Sequence, residues 1–279
     1  MKILSMLRLL SIILLTSSIV QANTATQLAD FLEDKFIQNP KIIKADVHVV
    51  DTLDVPHAQG FKAYIVEIKA SVKDGKKTQN ISQRMMWFSN GKVITRELTD
   101  MITGDSLTDV LKPHFKKEFY TKENLLYGNP DAKHKVVIFS DPLCPFCNSL
   151  VPPALKTMKA KPQTFAVYYY HFPLARLHPA SPTLVKAVYA AELQGVKDAV
   201  LKLYGIKINP RERDEAKILK AFNNHMGTSI TKEDIHSKGV VSHIAHDAKV
   251  AQLLMVGGTP TMYFDGTIDK SKAKYKKVK

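Results

Sequence analysis

The stretch KVVIFSDPLCPFCNSL, residues 135–150, limits the possible folds more than any other part of the chain. Val136, Val137, Ile138 and Phe139 form a continuous apolar run, which a strand shows when it is buried on both faces and an alternating one does not. Ser140-Asp141-Pro142 breaks the run, and the only two cysteines in 279 residues follow at positions 144 and 147. A doubly buried strand needs cover on each side, so the neighbouring sequence has to supply helices.

It does. A second apolar strand is expected at Phe165–Tyr170, and helical periodicity occupies roughly 181–203, 211–226 and 240–256. GGTPTMYFDG (257–266) reads as a closing strand and turn, and YGNPDAKH (127–134) as a turn-rich lead. A strand, a helix, a strand, several helices and a final hairpin describe an α/β domain over 127–279, with a helical insertion at about 175–256.

The N-terminal part follows another pattern. Leu28, Phe31, Leu32 and Phe36 share one helical stripe at 26–38, stopped by Asn39-Pro40. Strands are expected at 42–50, 63–73 and 79–88. In the second, Tyr64, Val66, Ile68, Ala70 and Val72 face one way and Glu67, Lys69, Ser71 and Lys73 the other. Asn90-Gly91 signals a hairpin into Lys92–Glu97, and Met85, Met86 and Trp87 read as core. Residues 23–104 thus form an α+β unit without a cluster of catalytic type, and 105–126 a helical linker with Ser106 as cap and Pro113 as limit.

Met1 to Ala22 has the layout of a cleavable secretory leader: Lys2 and Arg8, an apolar run from Leu9 to Val20, and a small-residue exit. The formal charge of +14 includes those two cations, leaving +12 on the exported chain. Six lysines fall in the last ten residues, a tail expected to be solvated and partly frayed. Its lysines are not interleaved with several aromatics, so nucleic acid is not an expected partner.

Export means an oxidising compartment, and four readings of the cysteine pair then compete. Heme attachment needs C-x-x-C-H, and position 148 is Asn. Structural zinc needs four ligands, which would recruit distant histidines such as His171 and His178. A staple between i and i+3 closes a loop too small to remove much entropy from the unfolded chain. A redox-active dithiol on the first turn of a helix has a mechanism: unpaired N–H groups and the helix dipole favour a thiolate at Cys144, and Cys147, one turn later, can resolve a mixed disulfide. Pro145 suits the first turn, and Phe146 packs or shields. Pro152-Pro153 should kink or interrupt the helix. Asp141 is read as a helix cap or a strand end, and His171 and His178 as satisfied or solvated histidines.

FSDPLCPFC, GGTPTMYFDG and YGNPDA together resemble the thioredoxin-fold Dsb proteins of bacterial envelopes, especially the DsbC/DsbG type. The resemblance covers about 127–266, and 23–126 is similar to that type's dimerisation domain and linker by architecture and position. It implies a redox disulfide Cys144–Cys147, with Cys144 as nucleophile, Cys147 as resolving thiol, Pro145 and Phe146 as spacer, and Thr259-Pro260 as a cis-proline loop that binds substrate backbone. Ile138, six residues before the first cysteine, departs from the buried acid of thioredoxin itself. The expected activity is a periplasmic protein disulfide isomerase acting as a homodimer on exported proteins with cysteines, served by a membrane redox partner of the Dsb type. No cofactor and no metal are expected. The alternatives are a DsbA-like net oxidase, a reductase, or a chaperone whose dithiol is secondary.

Overall fold

The computed structural model describes residues 24–75 and 77–278; the leader expected at 1–22 lies outside them. The chain divides into two compact units between Lys112 and Pro113. Among the described residues, no helix is long and apolar enough to cross a membrane.

In the first unit a helix, α1 (24–37), precedes a four-stranded antiparallel sheet in the order β1 (Ile42–Asp54), β2 (Lys62–Asp74), β3 (Lys77–Ser89), β4 (Ile94–Thr95). The alternation in β2 sets its burial. Tyr64, Val66 and Ile68 meet Val47 of β1 and Leu28 and Leu32 of α1, and Met85 and Trp87 are partly buried against this cluster. On the opposite side Glu67 pairs with Arg84 across the ladder. Asn90-Gly91 does make the turn, with Gly91 at φ +84°, and the Asn90 side chain accepts hydrogen bonds from the Lys92 and Val93 amides. The returning strand is shorter than Lys92–Glu97, since only Thr95 and Ile94 pair with Phe88 and Ser89.

The stretch 105–126 is not the helical linker its sequence suggests. It contains one four-residue helix, α2 (Leu107–Val110), and two 3₁₀ turns, and it enters β5 at Leu125. Phe115 is buried among the rings of Phe119, Tyr120, Phe139, Tyr170 and Tyr263. Docking of these aromatics on the second sheet takes the place of helix continuation.

That sheet has the order β5 (Leu125–Tyr127), β7 (Phe165–His171), β6 (His134–Ser140), β8 (Thr261–Phe264), β9 (Thr267–Ile268). β6 and β7 are parallel; the other pairs are antiparallel. Gly128, at φ +86°, lets the chain leave β5 so close to β7 that a Cβ there would lie 1.8 Å from the Phe165 carbonyl oxygen. β6 is covered on both faces. Val136 and Ile138 pack with Val151, Ala154, Leu155 and Met158 of α3 (Pro145–Lys159) and with the helical insertion. The insertion consists of α4 (Ser181–Leu193), α5 (Ala199–Leu203), α6 (Glu215–Met226), α7 (Lys232–Ile235) and α8 (Lys238–Leu253). Val137 and Phe139 pack on the other face with Val250, Ala251 and Leu254 around the end of α8.

Two sequence expectations are corrected here, an interruption of α3 at Pro152-Pro153 and a frayed tail. α3 runs uninterrupted through Pro152 and Pro153, because Cys147, Val151, Ala154, Leu155 and Met158 form one fully buried face that holds both ends. The lysine-rich tail is docked, not frayed. Asp269 accepts hydrogen bonds from the Ser271 and Lys274 amides, turning the chain so that Tyr275 reaches the core.

Candidate dithiol site

The sharp exit from β6 places the two cysteines. Cys144 is the N-cap residue of α3, with extended backbone (φ −72°, ψ 123°), and Pro145 takes the first helical position, where a missing N–H costs nothing. The Asn148 amide donates to the Cys144 carbonyl, so Cys147 follows within the first turn. Phe146 between them is 76% exposed.

Cys144 is less open than a helix end suggests. It is 5% exposed, and Cys147 is 0% exposed. The cover includes the segment before β8, where the Thr259–Pro260 peptide bond is cis and Cys144 Sγ lies 3.6 Å from the Thr259 carbonyl oxygen. Burial pushes the Cys147 thiol up to about 11. The Ser140 hydroxyl works against this shift, followed by the Thr259 hydroxyl and the Asp141 backbone, while a charge on Cys144 adds to it. Thr259 Oγ1 has no other partner.

Ser140 leads to a polar chain that sequence reasoning missed. Ser140 Oγ and Tyr204 Oη are 2.6 Å apart, and Tyr204 Oη and Tyr169 Oη 2.8 Å. Asn148 Nδ2 donates to the Tyr204 carbonyl at 3.0 Å, tying α3 to the end of α5. The one available signal was a serine closing an apolar strand; nothing local marks Tyr204, 64 positions away.

Asp141 does not cap α3. Its fully buried carboxylate accepts from the Leu143 amide (2.8 Å), the Leu174 amide (2.7 Å), His178 Nδ1 (3.0 Å) and Ser181 Oγ (2.5 Å). It thereby clamps the loop after β7 and the start of α4 to the loop that carries the cysteines. His178 is therefore satisfied. His171 is buried, its Nδ1 has no partner, and it groups with His243 and Asp247, not with the cysteines. Ile138 is fully enclosed in the apolar cluster behind the site.

The structure thus brings Cys144, Cys147 and Thr259-Pro260 together, with Pro145 and Phe146 on the outer surface of the turn. Two thiols one turn apart, one with a slit of solvent access and the other with none, suit sequential attack by the first and then the second.

Comparison with known proteins agrees with the α/β architecture of this unit. The family model described as thioredoxin matches residues 120–279. A Na(+)/H(+) antiporter NhaA 1 of Mycolicibacterium gilvum is 30% identical over 141 residues, which cover 50% of this chain and 23% of that protein. The chain therefore spans under a quarter of the antiporter's length. A probable disulfide bond formation protein D of Bacillus cereus is 26% identical over 163 residues, covering 54% of this chain and 73% of that protein. Among solved structures, a thioredoxin-like oxidoreductase from Silicibacter pomeroyi superposes with a TM-score of 0.47 at 23% identity, covering 59% of this chain and 100% of that one.

Proposed function

We propose, for a chain that belongs to the thioredoxin family through residues 120–279, that it is an exported thiol:disulfide oxidoreductase working as a disulfide isomerase. The observation that carries this reading is the setting of Cys144: N-cap of α3, 5% exposed, its sulfur 3.6 Å from the Thr259 carbonyl, with the enclosed Cys147 one turn behind. The Cys144 thiolate attacks a substrate disulfide, one substrate sulfur leaves as thiolate, and a mixed disulfide forms. In isomerisation another substrate thiolate attacks that bond and returns Cys144 as thiolate, so no net electrons move. In escape, Cys147 loses its proton and attacks Cys144, releasing a reduced substrate and closing Cys144–Cys147. The Thr259-Pro260 segment borders the thiol where an extended substrate backbone would lie.

The isomerase form draws on the N-terminal unit. β1 is an edge strand, and β4 covers only two residues of β3, leaving the rest of that strand as a second edge. Pairing with a second copy would cover such edges. In this reading the protein is a periplasmic homodimer of the DsbC/DsbG type, acting on exported proteins with cysteines and kept reduced by a membrane partner.

The test is trapping. Cys147→Ser should accumulate mixed disulfides with envelope proteins and Cys144→Ser should not; the reverse pattern would exchange the two roles. A dithiol found oxidised in the envelope, or a mature chain that scatters light as a monomer at micromolar concentration, would replace the isomerase with a DsbA-like oxidase.

A further inference from the structure

We propose that His171, His243 and Asp247 bind a divalent late first-row transition ion of the Zn²⁺ kind, separately from the dithiol. His171 ends β7; His243 and Asp247 lie four positions apart on α8 and therefore share a face. One donor atom from each falls within 4.8 Å of the others. Rotations of the side chains would close these to the roughly 3.4 Å donor spacing of a tetrahedral zinc shell.

Two observations point to a missing partner. Among the described residues, nothing hydrogen-bonds to the buried His171 Nδ1. Asp247 is 0% exposed, yet the imidazole nitrogens beside it, His243 Nε2 at 3.6 Å and His246 Nδ1 at 3.7 Å, are beyond hydrogen-bond reach. An orphaned imidazole nitrogen is costly, and so is a buried carboxylate whose hydrogen-bond donors are all neutral; a shared cation would answer both.

The surroundings orient these donors as supports of a metal site do. Asn124 Nδ2 donates to Asp247 Oδ1 and the His171 amide to Oδ2, each at 2.8 Å. The His243 ring stacks on Tyr189 at 3.7 Å and 3°. A cavity of about 350 Å³ is lined by His171 and His243 together with Lys122, Glu123 and Glu192, giving room for water at the site. Two imidazoles and one carboxylate suit a borderline ion better than the all-oxygen shells of Mg²⁺ and Ca²⁺.

The dithiol would compete for such ions, so the test uses the full mature chain carrying Cys144→Ser and Cys147→Ser. Co²⁺ is titrated by visible absorption and then displaced with Zn²⁺, while Zn²⁺ is tested for raising the melting temperature. The expected result is one Co²⁺ per chain, displaced by one equivalent of Zn²⁺, with a higher melting temperature. Affinity should fall at least about tenfold in His243→Gln and in Asp247→Asn, and stay unchanged in His225→Gln, a histidine bound elsewhere to the Lys202 carbonyl. Absence of uptake, or uptake indifferent to the first two substitutions, overturns the proposal. Should those variants fail to fold, an unchanged melting temperature of the parent with Zn²⁺ overturns it equally.

Discussion

β2 in the first unit and β6 in the second are both central strands, flanked on each side by a partner. β2 buries Tyr64, Val66 and Ile68 under α1; on its other face Ala63 and Ile65 are buried at one end, and Glu67 and Lys69 farther along carry charge. In β6, Val136 to Phe139 are each at most 1% exposed, alternate residues serving two different clusters. A strand whose second face is covered over only part of its length leaves surface and edges for other uses. A strand covered on both has nothing left over, and the loop at its end is held from several directions. The second arrangement is the one that carries the cysteines.

The largest expected contrast is in activity. Cys144→Ser should bring disulfide exchange down to background, whereas deleting residues 23–104 should leave dithiol reactivity and remove only isomerisation. Insulin reduction and refolding of a scrambled multi-disulfide protein measure the two. A truncated chain that still isomerises would break the division between the units.

Next comes packing. Leu155→Ala opens a void in a fully enclosed face and should cost about 4–5 kcal/mol, while Leu32→Ala, in a cluster bordered by partly buried Phe36 and Met85, can relax and should cost about 2–3 kcal/mol. Urea unfolding of each variant tests this, and equal losses would mean that the two cores are alike.

Enclosure should also be legible in the proton of Cys147. With its thiol pushed up to about 11, the thiolate is a small fraction at neutral pH and grows as pH rises. In Cys144→Ser, alkylation by iodoacetamide should therefore climb about tenfold per pH unit well past pH 9. A plateau near pH 9 would mean that burial does not hold the proton.

The smallest contrast lies in the helix caps. Asp214 accepts from the Ala216 and Lys217 amides at the start of the twelve-residue α6, and Ser106 from the Asp109 amide at the four-residue α2. Replacement by Ala should cost about 1 kcal/mol at Asp214 and about 0.5 kcal/mol at Ser106 by thermal unfolding.

What could be read from the sequence was what neighbours along the chain decide. The apolar run of β6, the alternation of β2, the Asn90-Gly91 turn and the place of Cys144 at a helix start each depend on a few adjacent residues. What could not be read depends on distant contacts. Pro152-Pro153 stays helical because Val151 and Leu155 are buried beneath it, and Phe115 leaves the linker for an aromatic cluster with Phe139 and Tyr263. The tail is docked through Asp269 and Tyr275. The Ser140–Tyr204–Tyr169 chain and the His171–His243–Asp247 group join positions dozens of residues apart, with no local spacing to announce them.

The two prolines within α3 also change how the helix transmits polarisation. An α-helix contains parallel spines of amides linked at every fourth residue, and each link strengthens the next. The spine that begins with the Cys144 carbonyl receives the Asn148 amide and stops there, because residue 152 has no N–H; the one from Pro145 stops likewise at residue 153. The spines from Phe146 and Cys147 meet no proline. The peptide groups nearest the two sulfurs therefore differ in electronic reach: Cys144 stands at the head of a single link, and Cys147 at the head of a line that continues down the helix.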